Sequence, residues 1–194
     1  MSNVAAIVLA AGASSRLGEP KQLVMYRGQT LLERAIYCAH AAGAFPVFVV
    51  LGSQADAIAQ HCNIPSVVIV RNPEWQSGMA SSLRAGVEAV EAQAPAAGAA
   101  LVLTCDQSAV TPAHLATLIQ HHDSSRIVAS EYEGRRGVPA IFPRSAFSQL
   151  SGMSGDQGAR SLLMHHDVTG IVLSQGGLDI DTPADLEQLR HWNR

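Results

Sequence analysis

The sequence predicts an α/β protein built on a mostly parallel sheet with helices on both faces. Three observations carry that prediction. Short apolar runs rich in β-branched residues alternate with stretches of helical periodicity. The runs are apolar throughout rather than at every second residue, as strands buried on both faces require. Polar residues of distinctive type also gather just after the runs, where ligands bind in such sheets.

Taken in order, Val4–Leu9 is the first strand, followed by a loop of small residues from Ala10 to Ser15. Thr30 and Glu33 have capping-box spacing and open a helix that runs to Ala42, with Gly43 as its stop. Leu31, Leu32, Ala35, Ile36 and Ala39 give that helix one apolar face. Pro46–Leu51 is a second strand, Gly52 and Ser53 turn into a helix through His61, and Val67–Val70 is a third strand. Arg71–Gly78 reads as a loop, Ala80–Ala92 as a helix and Ala100–Thr104 as a fourth strand. Thr111 and Pro112 start a helix that ends near His122. Ile127–Ser130 and Pro139–Phe142 are expected as short strands around a charged loop, Glu131–Gly137. A helix around Gln157–His165, a strand over Val168–Leu173 and a helix capped by Thr182 and Asp185 complete the chain.

The 194 residues suffice for one substantial core, so a single domain over 1–194 is expected. Its residues 1–108 and 109–194 are expected to form two halves of that domain. Net charge is −3 and there is no basic run, which argues against a nucleic-acid groove. The 3 cysteines, Cys38, Cys62 and Cys105, form no C-x-x-C pair, as for buried thiols in a reducing compartment. No charged region precedes the first apolar run, which is too short for a membrane span, so a cytoplasmic location without membrane contact is expected. The histidine pairs His121-His122 and His165-His166 end predicted helices, where imidazole suits helix carbonyls better than a metal.

The stretch from Ala5 to Leu23 organises the rest. A buried strand ending in Gly, Ala and Ser lets backbone amides approach a ligand closely. Arg16 and Lys21, the only lysine of the chain, mark that ligand as an anion and suggest a polyphosphate. The spacing from Gly12 to Gly18 fits neither the dinucleotide G-x-G-x-x-G pattern nor the P-loop, and Glu19 follows Gly18. For Mg2+, a hard cation that takes carboxylate oxygens, Asp106 at the end of the fourth strand is the first candidate. Asp179 and Asp181, two apart, would share one face if extended, or simply precede the Thr182 cap with Asp181 solvated.

The pattern L-A-A-G-x-S-x-R-x-G-x-x-K from Leu9 to Lys21 resembles the opening motif of nucleotidyltransferases that release pyrophosphate. Later segments extend the match: Asn72 to Leu83, Cys105 to Gln107, Gly137 to Phe142, Gly155 to Arg160 and Asp179 to Pro183. Together they resemble the MobA-like NTP-transferases, and within them the molybdenum-cofactor cytidylyltransferase branch. That resemblance implies a three-layer α/β/α fold with a Rossmann-like sheet of the nucleotide-diphospho-sugar transferase type. It also implies Mg2+-dependent transfer of CMP from CTP to molybdopterin, and a transient contact with a molybdenum-hydroxylase apoenzyme.

On this reading Leu9, Ala10, Ala11, Gly12, Arg16, Lys21, Gly78 and Ser82 bind the nucleotide, with Gly78–Ser82 along the base. Ser77 could alternatively be a plain helix N-cap. Arg16, Lys21 and Asp106 are catalytic, Asp106, Asp179 and Asp181 hold the metal, and Arg136, Pro139, Asp156 and Arg160 face the acceptor. Arg136 and Arg160 could equally be surface arginines. Two positions depart from the family pattern: Ser108 stands where proline is usual, and Val138 where histidine often is. Three readings stay open from these residues: CTP with molybdopterin, another NTP or a sugar or polyol phosphate acceptor, and a cofactor-carrying maturation factor without turnover.

Overall fold

The structure, a computed structural model, describes residues 3–61, 67–123, 125–156, 158–165, 167–174 and 178–191. Strand β1 (Val4–Ala10) is buried at every position, as its unbroken apolar run demands. A two-stranded hairpin, β2 (Met25–Tyr26) and β3 (Gln29–Thr30), leads into α1 (Leu31–Ala41). Then follow β4 (Val47–Leu51), α2 (Ala55–His61), β5 (Val67–Arg71), α3 (Met79–Gln93) and β6 (Ala99–Thr104). After α4 (Pro112–His121) come β7 (Val128–Tyr132), β8 (Arg135–Pro143), α5 (Phe147–Ser151), α6 (Arg160–Leu163), β9 (Thr169–Val172) and α7 (Pro183–His191).

Seven strands form one sheet in the order β5-β4-β1-β6-β8-β7-β9. Only β8 runs against the others: it is antiparallel to both β6 and β7. Because side chains alternate along a strand, β1 serves two cores. Val4, Ala6, Val8 and Ala10 face α1, α2 and α4 with Leu32, Ile36, Ile58, Leu115 and Leu118. Ala5, Ile7 and Leu9 face α3, α5 and α6 with Leu83, Val87, Phe147 and Leu163. A third cluster joins Leu17, Val24 and Tyr26 to Ile180, Leu186 and Leu189, so α7 packs on the segment that follows β1. Among the described residues no helix is long and apolar enough to cross a membrane.

Several elements depart from the sequence reading. The expected loop Glu131–Gly137 is instead the end of β7, a two-residue turn and the start of β8. Glu133 and Gly134 both have positive φ, 51° and 71°, the conformation a tight primed hairpin turn needs. The helix expected over Gln157–His165 shrinks to Arg160–Leu163, with Gln157 outside the described residues. Among its described residues the stretch fully buries only the side chains of Ala159 and Leu163 and leaves Met164 exposed, too little to support a longer helix. Cys62 and His166 also lie outside the described residues. His121 behaves as expected, its Nδ1 2.8 Å from the Thr117 carbonyl, whereas His122 is buried and neither ring nitrogen has a partner among the described residues.

The predicted capping box is complete: Glu33 N–H donates to Thr30 Oγ1 (3.1 Å) and Thr30 N–H to Glu33 Oε2 (2.7 Å). Thr30→Ala should therefore cost about 1 kcal/mol and lower Tm by roughly 2–4 °C for a chain of this size, as thermal unfolding would show.

Candidate active site

The carboxyl ends of β1, β4 and β6 meet at one end of the sheet, and a cleft of about 480 Å³ opens there. Leu9, Ala10, Ala11, Gly12, Lys21, Gly78, Ser82 and Asp106 line it, together with Trp75 and Asp156. The loop after β1 is held from inside. Gln22 is 1% exposed, and its Nε2 donates to the carbonyls of Ala10 (2.7 Å) and Gly12 (3.1 Å). Ser53 N–H donates to the Ala11 carbonyl at 3.0 Å. Ser14, at φ 54°, receives the Lys21 N–H on its hydroxyl (3.1 Å) and accepts the Leu17 and Gly18 amides on its carbonyl. Gly52 has to be glycine: a Cβ there would lie 2.4 Å from Trp75 Cβ and 2.8 Å from the Ala11 carbonyl oxygen.

At one end of the cleft, Lys21 Nζ donates to Asp106 Oδ2 (2.5 Å) and to Asp181 Oδ1 (2.7 Å). Arg16 Nη2 donates to the other Asp181 oxygen at 2.9 Å. Burial alone would lower the Lys21 pKa, but Asp106 and Asp181 together outweigh it and raise it, so the ammonium stays charged. Burial likewise works against ionised Asp181, and Lys21 and Arg16 overcome it, holding that carboxyl below its ordinary value. Asp181 is therefore not the merely solvated residue of the plain loop reading. It arrives here because Ile180 N–H donates to the Asp106 carbonyl (3.1 Å) and Gln107 bridges to Asp179. Asp185 then caps the start of α7 by accepting the Thr182 N–H (2.7 Å) and hydroxyl (2.8 Å).

Asp106 Oδ1 is buried and has no partner among the described residues, which leaves one hard oxygen available in the cleft. No three metal-ligating side chains converge among the described residues. A cation here would take one or two carboxylates and fill its remaining positions with ligand oxygens and water, the usual mode of Mg2+. Asp179 is exposed and borders a small recess with Ser108, Ile180 and Asp185 rather than the cleft itself. The surrounding protein, and then the charges of Asp106 and Asp181, push its carboxyl up to about 6 against the pull of Lys21 and Arg135.

The residues expected at the acceptor side are not brought together. Asp156 lines the nucleotide-sized cleft, and a Cβ on Gly78 would approach its Oδ1 to 2.5 Å. Gly78, not Ser77, is the N-cap of α3 at φ 107°, and the Gly155 carbonyl accepts the Ala80 N–H (3.1 Å) in the helix's first turn. Arg136 donates to the His165 carbonyl (2.9 Å), and Arg160 is exposed at the start of α6. Pro139 is buried, its carbonyl accepting from the Ser130 hydroxyl at 2.7 Å. The adjoining Val138 carbonyl accepts from Gln107 Nε2 (2.9 Å) and the Tyr132 hydroxyl (3.3 Å).

Sequence reasoning missed Gln22, Asn72, Trp75 and Arg34. Arg34 on α1 donates to the carbonyls of Ser108 (3.1 Å) and Val110 (2.9 Å), so a guanidinium braces the loop where proline is absent. For Gln22, the position beside Lys21 was the available signal. For Asn72 and Trp75 it was their place in the polar stretch after β5.

The raised Asp179 value sets a pH dependence. An unfolded aspartate titrates near 4 and this one near 6, so the fold is favoured while the proton is held. That preference is lost as pH rises from about 4 through about 6. Asp179→Asn removes it, so the variant's Tm should gain on that of wild type between about pH 4 and pH 7.5. A constant difference in thermal unfolding across that range would contradict the assignment.

Comparison with known proteins agrees with this geometry. Residues 6–169 match the model of the MobA-like NTP transferase domain. The chain is 34% identical to the nicotine blue oxidoreductase of Paenarthrobacter nicotinovorans, over 96% of each chain. It is 23% identical to the molybdenum cofactor cytidylyltransferase of Escherichia coli, over 95% of this chain and 94% of that one. Among solved structures it is similar to Rv0371c of Mycobacterium tuberculosis H37Rv, at 31% identity, 98% coverage of both chains and a TM-score of 0.84. The manganese complex of that protein superposes with a TM-score of 0.76, at 29% identity over 96% of this chain and 97% of that one. The fold, the cleft and the matched residues lead to one conclusion: the chain belongs to the MobA-like NTP transferase family, the nucleotidyltransferases foreshadowed by its Leu9–Lys21 motif.

Proposed function

We propose that the protein transfers CMP from CTP to the phosphate of molybdopterin and releases pyrophosphate. The observation that carries this reading is the polarity of the cleft. Lys21 and Asp106 line one part, with Asp181 and, through it, Arg16 joined to Lys21, while Gly78 and Ser82 at the start of α3, beside Asp156, make a part with no cation. A nucleoside triphosphate has the same polarity, with its phosphates to the cations and its base to the small residues. The full-length similarity to a molybdenum cofactor cytidylyltransferase supports cytosine and the pterin as the partners. The oxidoreductase name carried by one relative would call for an electron carrier, and the Leu9–Lys21 loop lacks the G-x-G-x-x-G spacing of a dinucleotide site.

In the reaction an acceptor phosphate oxygen bonds to the α-phosphorus as the bond to the β-phosphate oxygen breaks, and pyrophosphate leaves with that electron pair. Catalysis of this kind is mostly positioning and charge neutralisation. The loop from Leu9 to Gly12 presents backbone amides to the nucleotide, and Lys21 and Arg16 meet the triphosphate. Lysine supplies a compact point charge and arginine a planar fork, so neither replaces the other. Asp106, through its unpartnered Oδ1, and Asp179 would hold Mg2+; Asp181 would then anchor the two cations. When bound, the metal neutralises phosphate charge. The manganese complex of a structural neighbour supports a divalent ion. Nucleotide contacts fall mainly in residues 1–108 and acceptor contacts in 109–194, with Asp156 reaching back into the nucleotide cleft. Cys38 and Cys105, both buried thiols, support a cytoplasmic setting.

The test is pyrophosphate release with molybdopterin, Mg2+ and each of CTP, GTP, ATP and UTP. CTP should be used best, and Lys21→Ala and Asp106→Ala should each reduce turnover at least 100-fold. A GTP-only response overturns the cytidylyl assignment, and tight cofactor binding without pyrophosphate release overturns catalysis. Wild-type rates in Asp106→Ala overturn its role.

A further inference from the structure

We infer that Asn72 is a specificity-positioning residue: it fixes the Ser82 hydroxyl as a hydrogen-bond donor toward the nucleobase. The inference rests on the nucleotide reading above and concerns how that site reads a base.

The proton directions follow from which groups can only donate or only accept. Asn72 Oδ1 accepts the Glu74 N–H at 2.9 Å, and a backbone amide can only donate, so the orientation of the Asn72 amide is settled. Its Nδ2 therefore points at the serines and donates to Ser81 Oγ (2.8 Å) and Ser82 Oγ (3.0 Å). Ser81 spends its own proton on the carbonyls of Gly78 (2.8 Å) and Glu74 (3.0 Å). Ser82 differs: its oxygen is engaged by Asn72, and no protein acceptor among the described residues takes its proton.

Asn72, Ser81 and Ser82 are each 4% exposed, so bulk water does not rearrange this network. Ser82 nonetheless lines the cleft. A buried hydroxyl with one of its two lone pairs taken by Asn72 and its proton unspent is best completed by an acceptor from whatever fills the cleft. On a pyrimidine that acceptor is a ring carbonyl or an unprotonated ring nitrogen. An amino group turned to Ser82 would leave that proton without a partner, a penalty that favours one edge of the base. Asn72 itself lies one layer behind the cleft and acts through Ser82.

Binding of CTP and of ribose 5′-triphosphate, both with Mg2+, tests this by calorimetry on wild type, Ser82→Ala, Asn72→Ala and the double variant. Ser82→Ala should weaken CTP about three- to tenfold and leave ribose 5′-triphosphate unchanged. Asn72→Ala should weaken CTP in the wild-type background and add nothing once Ser82 is alanine. Asn72→Asp keeps an acceptor for the Glu74 amide but draws the Ser82 proton away from the cleft, so it should weaken CTP at least as much as Ser82→Ala. Equal losses for the two ligands, or additive losses in the double variant, overturn the inference. Ser82→Ala truncates a side chain that borders the cleft, so an unchanged CTP affinity in that variant is decisive even if the Asn72 variants do not fold. Failure of wild type to bind CTP counts against the cytidylyl reading; wild-type binding with an unaffected Ser82→Ala counts against this inference alone.

Discussion

The ammonium of Lys21, held between Asp106 and Asp181, is the constraint on which the rest of the site depends. Its three groups come from the segment after β1, the end of β6 and the approach to α7. Two carboxylates brought this close would repel without the cation, and a half-buried cation would be costly without them. Each group is tolerated because the other two are present. The hydrophobic cluster of Leu17, Val24 and Tyr26 with Ile180, Leu186 and Leu189 holds the backbone beneath them. Apolar packing thus sets the separation at which the charges act.

That arrangement also prepares the site for a charged ligand. A triphosphate adds several negative charges, and Lys21 and Arg16 can meet them only by sharing or leaving their carboxylate partners. The resting network therefore keeps the cations ordered and their side-chain entropy already spent, which is the usual basis of preorganisation. The buried Gln22 does the same for the neutral part of the loop, fixing two carbonyls inward and leaving the adjoining amides to face the cleft.

Much of this was legible in the chain. The small-residue loop after β1 and Asp106 just past the end of β6 stand where the sequence put them, and both line the cleft. The capping pairs Thr30–Glu33 and Thr182–Asp185 each start a helix as read. What could not be read was pairing at a distance. Lys21 meets Asp106 across 85 positions and Asp181 across 160, and no local pattern encodes either contact. Gln22 and Asn72 were missed because an amide that braces backbone or hydroxyls looks, in sequence, like any surface polar residue. The Glu131–Gly137 error came from reading charge as loop. A hairpin that extends past the helices keeps its strands while losing the apolar pattern.

The contact between α3 and the later part of the chain has a consequence for how the protein can be taken apart. The first turn of α3 has one of its amides satisfied by the Gly155 carbonyl, and Gly78 leaves no room for a Cβ beside Asp156. One wall of the cleft is thus completed by backbone from beyond residue 150. The chain up to residue 108 does not close this cleft by itself. Replacing the segment around Gly155 would also reshape the wall that Gly78 and Ser82 form, so the early and late parts of the chain are mechanically coupled.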